Sequence, residues 1–337
     1  MSVEKVVRKR SSIRDIIRKK VNPFRSWLLR DVRATATDTQ FLLGRMACWR
    51  NRSMEVISSL QDIEFKVTSQ WGEDGIIDWL IERCKIPPAL HTFVEFGVDL
   101  YREANTRFLL QNRNWRGLIM DGSRDVLDTV IEDDLYWRYD LTVKQAFISR
   151  ENINQLISSS GLTGDIGLLS IDLDGNDYWV WEAIEAVRPI ICICEYNAIF
   201  GDVHPISVPY NPGFYRTDSH YSNMHFGASI TALCSLATKK GYRFVGTNLA
   251  ANDAFFVRED YARHFVDTSL LHIQALPSKT RDTLNQSGTM SYMSGTKRAE
   301  LIKDMQVVNT ETGETVEFGK LGPLYSQEWL AKMASIT

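Results

Sequence analysis

The stretch Asp165-Ile-Gly-Leu-Leu-Ser-Ile-Asp-Leu-Asp-Gly-Asn-Asp-Tyr178 decides the fold. Its apolar half, residues 166–171, predicts a buried strand, and Asp172, Asp174 and Asp177 follow where that strand would end. Ligands of open α/β sheets bind at the carboxyl ends of the strands, so we interpret these acids as candidates for a site. The competing interpretation is a turn and a helix cap, which suits Asp177 best.

Strand and helix patterns alternate on both sides of this stretch. Besides residues 166–171, the predicted strands are 92–96, 117–120, 135–139 and 190–194. Strands that alternate with helices predict parallel crossover connections and therefore a doubly wound α/β sheet. After a predicted helix over 228–240, two more strands, 242–245 and 254–257, are joined by a short connection. This connection predicts an antiparallel hairpin at the end of the sheet.

Charge and length divide the chain into three parts. The 337 residues carry a net charge of -3, yet the first 33 contain eleven Lys and Arg against three acids. We predict N-terminal helices in a basic extension over 1–62, an α/β domain over 63–265 and a C-terminal extension over 266–337. The balanced overall charge gives no indication of nucleic-acid binding.

The amino-terminal segment has the pattern of a basic amphipathic helix. Ile13, Ile16 and Ile17 share one helical face, and Arg and Lys fill the other. Such a helix suits an anionic membrane surface, but a solvated face or a subunit contact in a homo-oligomer explains the same pattern. Because no apolar run approaches a membrane span and the start lacks a secretory signal, we expect a cytoplasmic protein.

An acidic residue follows each of the five predicted parallel strands. In chain order these acids are Glu95, Asp121, Asp140, Asp172 and Glu195. A carboxylate at the end of the second strand of such a sheet is placed to accept hydrogen bonds from both hydroxyls of a ribose. Asp121 is therefore the predicted ribose ligand rather than a simple cap, and Gly97 and Gly122 would let a ligand approach the backbone.

Five stretches of the sequence share the pattern of one protein family. They are Ser69-Gln-Trp-Gly-Glu-Asp-Gly75, Val94-Glu-Phe-Gly97 with Asn105-Thr106, Gly117-Leu-Ile-Met-Asp-Gly-Ser123, Leu169-Ser-Ile-Asp-Leu-Asp-Gly-Asn-Asp-Tyr-Trp179 and Cys194-Glu-Tyr-Asn197. Together they resemble class I S-adenosylmethionine-dependent methyltransferases, and within them an FkbM-like group associated with bacterial polysaccharide biosynthesis. The resemblance implies a Rossmann-like, mostly parallel seven-stranded sheet, and it makes residues 63–265 the methyltransferase domain.

The resemblance also implies S-adenosylmethionine as methyl donor and a set of residues that bind it. Glu95 and Gly97 would lie near its methionine end, and Asp140 near its adenine. The full set is Gln70, Glu95, Gly97, Asn105, Thr106, Asp121, Gly122, Ser123 and Asp140. The family usually has several alternate glycines in the first motif, whereas Asp99 and Tyr101 stand at the later positions here. We therefore expect Asn105 and Thr106 to complete the methionine contacts.

A second group of polar residues follows the fourth and fifth predicted strands. Its members, Asp172, Asp174, Glu195 and Asn197, converge if those two strands are neighbours. Oxygen ligands of this kind suit Mg²⁺ or Mn²⁺, and such an ion would lower the pKa of an acceptor hydroxyl. The same groups could hold sugar hydroxyls without a metal.

Transfer of a methyl group to an alcohol requires a group that takes the proton of the acceptor. Asp172 and Asp174 are candidates, and His220, on the loop after the fifth strand, is the histidine that we expect to act as base. His225 and His204 are alternatives to His220. A histidine that only holds the loop by hydrogen bonds is the competing interpretation.

These patterns predict an O-methyltransferase that acts on a saccharide or a related polar hydroxyl acceptor. The saccharide is implied by the resemblance alone. Two alternatives remain open: a cofactor-binding or scaffolding protein of polysaccharide assembly without turnover, and a metal-dependent lyase or hydrolase on the same fold. The glycine-poor first motif and the basic amino terminus favour the scaffold, while a metal at Asp172 and Glu195 would suit the lyase or hydrolase.

Overall fold

The computed structural model of the protein describes residues 30–54, 57–263 and 275–336. The predicted basic helix around Ile13 lies outside these residues. The chain divides into two compact units, residues 1–46 and 47–337. Residues 47–62, which the sequence assigns to the basic extension, belong to the second unit, and Ile57 and Leu60 are buried in its core. No helix in the described ranges is long and apolar enough to cross a membrane.

The strands form one large and one small sheet. They are β1 (Thr92–Phe96), β2 (Arg116–Asp121), β3 (Leu141–Gln145), β4 (Gly164–Ile171), β5 (Val187–Glu195), β6 (Ile206–Ser207), β7 (Tyr242–Thr247), β8 (Asp253–Arg258), β9 (Gln306–Asn309) and β10 (Thr315–Glu317). The large sheet has the order β3-β2-β1-β4-β5-β8-β7. Strands β1 to β5 are parallel, and β8 runs antiparallel to both β5 and β7. The predicted mostly parallel seven-stranded sheet with a terminal antiparallel hairpin is confirmed.

The described residues form twelve α-helices. They are α1 (Arg30–Arg52), α2 (Glu73–Cys84), α3 (Arg107–Arg113), α4 (Asp125–Glu132), α5 (Leu135–Arg138), α6 (Ile153–Ser158), α7 (Asp177–Ala183), α8 (Arg216–Ser219), α9 (Ile230–Lys239), α10 (Glu259–Ala262), α11 (Lys297–Leu301) and α12 (Gln327–Ile336). Side chains of a strand point alternately to opposite faces, so Phe93 joins the core on the α2 side and Val94 the core on the α7 side. The sheet is therefore doubly wound and buried on both faces.

The prediction of the third strand is wrong. Residues Leu135–Arg138 form the single-turn helix α5, and the strand begins at Leu141. Asp134 adopts a left-handed conformation with φ of 58° and starts a new helical turn after α4. Tyr136 and Trp137 are more than half exposed, so this apolar run is not a buried strand.

The shift of the third strand moves Asp140 to the opposite edge of the sheet. Leu141 pairs with Gly117 at the start of β2, whereas Gln145 pairs with Asp121 at its end. Asp140 precedes β3 and therefore lies at the amino ends of the strands. The prediction that Asp140 contacts the adenine is wrong for this reason.

The C-terminal extension is fixed to the loop that follows β5. Strand β6, from that loop, pairs with β9, and β9 pairs with β10, in a three-stranded antiparallel sheet that the sequence patterns do not predict. Phe200, Val307 and Phe318 share a buried cluster beneath it. Residues 306–317 thus belong to the same compact unit as the large sheet.

Strands β1 and β4 approach each other closely where β1 ends. Gly97 has a φ of +67°, and a Cβ atom there would lie 1.6 Å from the backbone carbonyl oxygen of Asp172. No side chain fits in that space, so this position requires glycine for its conformation and for the contact.

We expect Gly97→Ala to lower the free energy of unfolding by more than the roughly 1–2 kcal/mol that a left-handed alanine costs. The additional loss arises because the two backbone segments must separate. Gly164→Ala is the matched control, since Gly164 has a φ of +74° but no atom within 4 Å of the place that a Cβ would take. Urea-induced unfolding measures both variants, and equal losses at the two positions would contradict the contact.

Candidate functional site

Two cavities open at the carboxyl ends of the parallel strands. The large cavity, of about 890 Å³, lies over β1, β2 and β4, and the small cavity, of about 270 Å³, lies beside the end of β5. The two cavities share five of their lining residues, which are Gln70, Asp172, Asp174, Arg216 and Asn252. Two ligands in these cavities would therefore meet at the end of β4.

Most of the predicted cofactor residues line the large cavity. They are Gln70, Glu95, Gly97, Asn105, Asp121, Gly122 and Ser123. Thr106 is fully buried and is not part of this lining. Asp140 is not part of it either, because it lies at the amino end of β3.

The carboxylate of Asp121 faces the loop that follows β1. It accepts hydrogen bonds from the backbone N–H of Asp99, at 2.9 Å, and from that of Ser123, at 2.7 Å. Asp121 and Gly97 therefore belong to one site, as the sequence predicts. Each carboxylate oxygen retains capacity to accept a further hydrogen bond from a ligand.

Two residues of the loop after β1 have the positive φ angles that are usual for glycine, although neither is a glycine. Asp99 has a φ of 45° and Tyr101 a φ of 55°, both in the left-handed region that usually favours glycine. Tyr101 is fully buried, and its hydroxyl lies 3.1 Å from Oγ1 of Thr106. Asp99 and Tyr101 thus adopt, without glycine, a backbone conformation that glycine usually provides.

Glu95 fixes the start of helix α3. Its buried carboxylate accepts the backbone N–H of Asn105, at 2.8 Å, and both the N–H and the hydroxyl of Thr106. Burial raises the pKa of Glu95 to about 7, against the lowering effect of these hydrogen bonds. Asn105 then donates from its side chain to Ser170 and to Asp253. Thr106 therefore contacts Glu95, which lines the large cavity, rather than the cavity itself.

Beyond the end of β3, the large cavity is lined by three residues that follow this strand, whereas Asp140 precedes it. They are Ala146, Phe147 and Ile148. The ring of Phe147 is partly exposed, and its centre lies 5.4 Å from that of Tyr215 on the loop after β5. This end of the cavity offers apolar and aromatic surface.

Three carboxylates meet where the two cavities join. Asp172, Asp174 and Glu195 each offer an oxygen, and these oxygens lie within 4.8 Å of one another. Burial and the repulsion between these acids raise the pKa of Asp172 and of Glu195 well above the usual range. Oε2 of Glu195 is buried and has no hydrogen-bond partner within the described residues.

Asp177 belongs to the turn rather than to this group. Its carboxylate accepts the backbone N–H groups of Leu173, at 2.7 Å, and of Gly175, at 2.9 Å. These bonds fix the turn that leads into α7. The predicted turn role of Asp177 is confirmed, but its predicted role as helix cap is not, because Asn176 is the N-cap of α7.

Arg216 is the cation of this acidic junction, and it is absent from the residues predicted from the sequence. Its guanidinium donates to Asp174 at 2.9 Å and to Asp282 at 3.2 Å, and it lies over the ring of Phe226. It thus connects the turn after β4 with the C-terminal extension. A lone arginine in a long loop gives no signal in the sequence, because its two carboxylate partners are more than forty residues away.

Asn197 does not offer a free side-chain oxygen to a metal. Its amide nitrogen donates to the carbonyls of Met224 and Phe226, and its oxygen accepts the N–H of Ile199. The side chain is buried and caps the turn Ala198–Phe200. The prediction of Asn197 as a metal ligand is corrected to a structural role.

The predicted histidine base is also held by the loop. His220 accepts the N–H of Ser222 at Nδ1, and His225 lies between Ser219 and the carbonyl of Gln306. His204 contacts the carbonyl of Pro323. Among the described residues that line the two cavities there is no histidine. The competing interpretation, a loop-holding histidine, describes all three.

Asp253 is a further acid that is missing from the sequence-based prediction. It is buried at the start of β8, pairs with Glu195 across the sheet and lines the large cavity. Burial raises the pKa of Asp253 well above its usual range. The sequence contains a signal for it, since the first residue of an antiparallel strand lies beside the last residues of its neighbours.

Comparison with known proteins gives distant structural similarity only. No protein-family model and no curated protein matches the chain. The CurJ carbon methyltransferase is 11% identical over 55% of this chain and 52% of its own, with a TM-score of 0.34. A S-adenosylmethionine-dependent methyltransferase from Clostridium acetobutylicum is 8% identical over 55% and 90%, with a TM-score of 0.36. An O-methyltransferase family protein from Burkholderia thailandensis is 11% identical over 65% and 71%, with a TM-score of 0.33.

These neighbours are methyltransferases, but identities this low say nothing about the substrate of this protein. The chain spans about half the length of the CurJ methyltransferase.

We expect Asp99→Gly to be more stable than Asp99→Ala by about 1 kcal/mol, because alanine is strained in the left-handed region and glycine is not. Asp128, exposed in α4, is the matched control. There the order reverses, and alanine is favoured over glycine by about 1 kcal/mol. Urea-induced unfolding of the four variants measures both differences. The same order at both positions would contradict the conformation of the loop.

Proposed function

We propose that the protein is a S-adenosylmethionine-dependent O-methyltransferase. The large cavity would bind the methyl donor and the small cavity an acceptor hydroxyl. The observation that carries this proposal is that both cavities share the end of β4, with Asp121 on one side of Asp172 and Glu195 on the other. A donor and an acceptor bound there would have their reacting ends side by side, which is a condition for in-line transfer.

The large cavity suits each part of the donor. Asp121 would accept hydrogen bonds from the ribose hydroxyls, and Phe147 would cover one face of the adenine. The sulfonium is a cation, and the carboxylates of Glu95, Asp172 and Asp253 line the part of the cavity that would receive it. A bound cation favours the ionised forms of these carboxylates, whose pKa values burial raises, and those forms would hold the sulfonium more tightly than the neutral product.

The acids at the junction would also prepare the acceptor. In its ionised form, Glu195 would take the proton of an acceptor hydroxyl at Oε2, which has no partner in the described structure, and its raised pKa makes that carboxylate a stronger base. As that proton leaves, the hydroxyl oxygen would form its bond to the methyl carbon. The carbon–sulfur bond would break in the same step, and its electron pair would stay on sulfur as a neutral thioether. Arg216 would hold Asp174 in place during the step.

The same carboxylates fit a divalent cation. Asp172, Asp174 and Glu195 are hard oxygen donors in close proximity, and the free Glu195 oxygen lacks a partner among the described residues. Mg²⁺ or Mn²⁺ held there would lower the pKa of the acceptor hydroxyl. Asn197 is not among the ligands, because its carboxamide is bonded within the fold.

A saccharide is the acceptor class that we propose for the small cavity. Trp71, about half exposed, lines it and offers an aromatic face to a sugar ring. Asn252, Ser278 and Thr280 line it as well and can exchange hydrogen bonds with hydroxyl groups. Polar atoms form most of the exposed surface of this cavity, which favours a polar acceptor.

We expect Asp121→Ala to weaken the binding of S-adenosylhomocysteine by at least about tenfold, equivalent to roughly 1.4 kcal/mol, because two hydrogen bonds to the ribose are lost. Isothermal titration calorimetry measures the affinity. Asp140→Ala is the matched control and should bind as the unchanged protein does, since Asp140 lies at the opposite edge of the sheet. Equal affinity of both variants would remove the ribose role of Asp121.

We expect Mn²⁺ to raise the melting temperature, and the shift to vanish in a variant that combines Asp172→Asn with Glu195→Gln. A ligand at about 100 times its dissociation constant stabilises by about 2.7 kcal/mol. Without metal, the double variant should be the more stable protein, because the repulsion between the two acids is removed. Asp140→Asn serves as control.

Three outcomes separate the candidate functions when the Mn²⁺ experiment is combined with S-adenosylhomocysteine binding and a methylation assay. The same metal shift in the double variant would exclude a metal at these residues and leave Glu195 as the base. A shift with Mn²⁺ but no binding of S-adenosylhomocysteine would favour the metal-dependent lyase or hydrolase. Binding without methylation of any acceptor would favour the scaffold.

A further inference from the structure

The wall of the small cavity opposite the acids contains a buried arginine. Arg298, in helix α11 of the C-terminal extension, is only 2% exposed and lines the cavity. Its neighbours in the lining, Ser278, Thr280 and Asp282, come from the same extension. The extension thus supplies the side of the cavity that the large sheet does not.

The partners of Arg298 are all neutral. Its guanidinium donates to the carbonyls of Ser278, at 3.0 Å, Thr280, at 3.2 Å, and Gly295, at 3.4 Å. A fourth, longer contact of 3.5 Å goes to the Ser278 hydroxyl. A guanidinium has five N–H donors, so one N–H of Nη2 remains without an acceptor among the described residues.

The charge of Arg298 is therefore not compensated by a bonded carboxylate. None of the acids in the described part of the chain forms a salt bridge with it. Asp282, which faces the same cavity, is bonded to Arg216 and acts on Arg298 only through its more distant charge. Burial of a cation is costly unless an anion pairs with it. Arg216, by contrast, lies between two carboxylates and has its charge matched.

We infer that Arg298 is the binding site for an anionic group of the acceptor, a carboxylate or a phosphate, and that the acceptor is therefore an acidic or phosphorylated sugar. This inference rests on the proposed acceptor role of the small cavity. A planar guanidinium with a free N–H at the cavity wall is the donor that such oxyanions prefer.

The position of Arg298 would also orient the acceptor. The large sheet contributes Asp172 and Glu195 to the cavity, and the C-terminal extension contributes Arg298 together with Asp282, whose carboxylate is bonded to Arg216. An anionic group is repelled by Asp172 and Glu195 and attracted by Arg298. The sugar would therefore enter with its anion towards Arg298 and a hydroxyl towards the junction with the large cavity.

Ligand-observed NMR with glucose, glucuronate and glucose 6-phosphate tests the inference without methyl transfer. We expect glucuronate or glucose 6-phosphate, or both, to bind at least about tenfold more tightly than glucose, since charge-assisted hydrogen bonds are about twice as strong as neutral ones. Which of the two binds better identifies the anion as carboxylate or phosphate. Equal binding of all three sugars by the unchanged protein would overturn the inference.

The variants locate the effect. Arg298→Met should reduce the preference for the anionic sugar to within about twofold, and Arg298→Lys should keep part of it. Arg281→Met, an exposed arginine next to Thr280 that does not line the small cavity, should leave the preference unchanged. A folded Arg298→Met protein that keeps the full preference would contradict the assignment.

Two controls separate the result from misfolding of Arg298→Met and from failure of the methyltransferase proposal. If Arg298→Met does not fold, displacement of the bound anionic sugar by inorganic phosphate in the unchanged protein supports the anion site, and lack of displacement contradicts it. Binding of S-adenosylhomocysteine, measured in parallel, reports on the methyltransferase proposal alone. Anion binding with no nucleoside binding would therefore reject the donor site but keep Arg298 as an anion site.

Discussion

The backbone contact between Gly97 and the carbonyl of Asp172 sets the position of everything else in the site. It joins the turn after β1, which carries the left-handed Asp99, to the turn after β4, which carries the acids. Because a Cβ does not fit between them, the two turns are in direct backbone contact. Asp121 is bonded to the first turn, and Arg216 is bonded to Asp174 on the second, so both side chains are connected to this contact.

A second constraint is the concentration of buried acids at one edge of the sheet. Asp172, Glu195 and Asp253 all lie there with raised pKa values, because burial and mutual repulsion both disfavour the charged forms. Such a cluster weakens the fold in isolation, and Arg216 offsets only part of it. Acids kept at this cost are typical of functional sites, where a cation or a proton from a ligand compensates them.

The sequence predicts the sheet well because its evidence is local. Periodicity locates β1, β4, β5, β7 and β8 to within a few residues, and the alternation of strands with helices predicts the parallel crossovers. It fails at Leu135–Arg138, where an apolar triplet has the composition of a strand but follows a left-handed Asp134. The same error misplaces Asp140.

The site is predicted less completely than the sheet, because its remaining residues are joined only in three dimensions. Asp121, Asp172 and Glu195 follow strands and can be found from the pattern, whereas Arg216 and Arg298 lie on a single-turn helix within a loop and on a short helix, without any periodic signal. His220 has the right chemistry for a base, yet a neighbouring serine fixes its ring. Hydrogen bonds within a loop are not readable from residue types.

The pairing of β6 with β9 has a consequence for how the protein is made. The last strand of the large sheet ends at Arg258, so a ribosome that has released this residue has already delivered every strand of the sheet. The wall that carries Arg298, and the strands that anchor it, emerge only afterwards. Every residue that lines the large cavity is thus synthesised before the wall of the small cavity that carries Arg298.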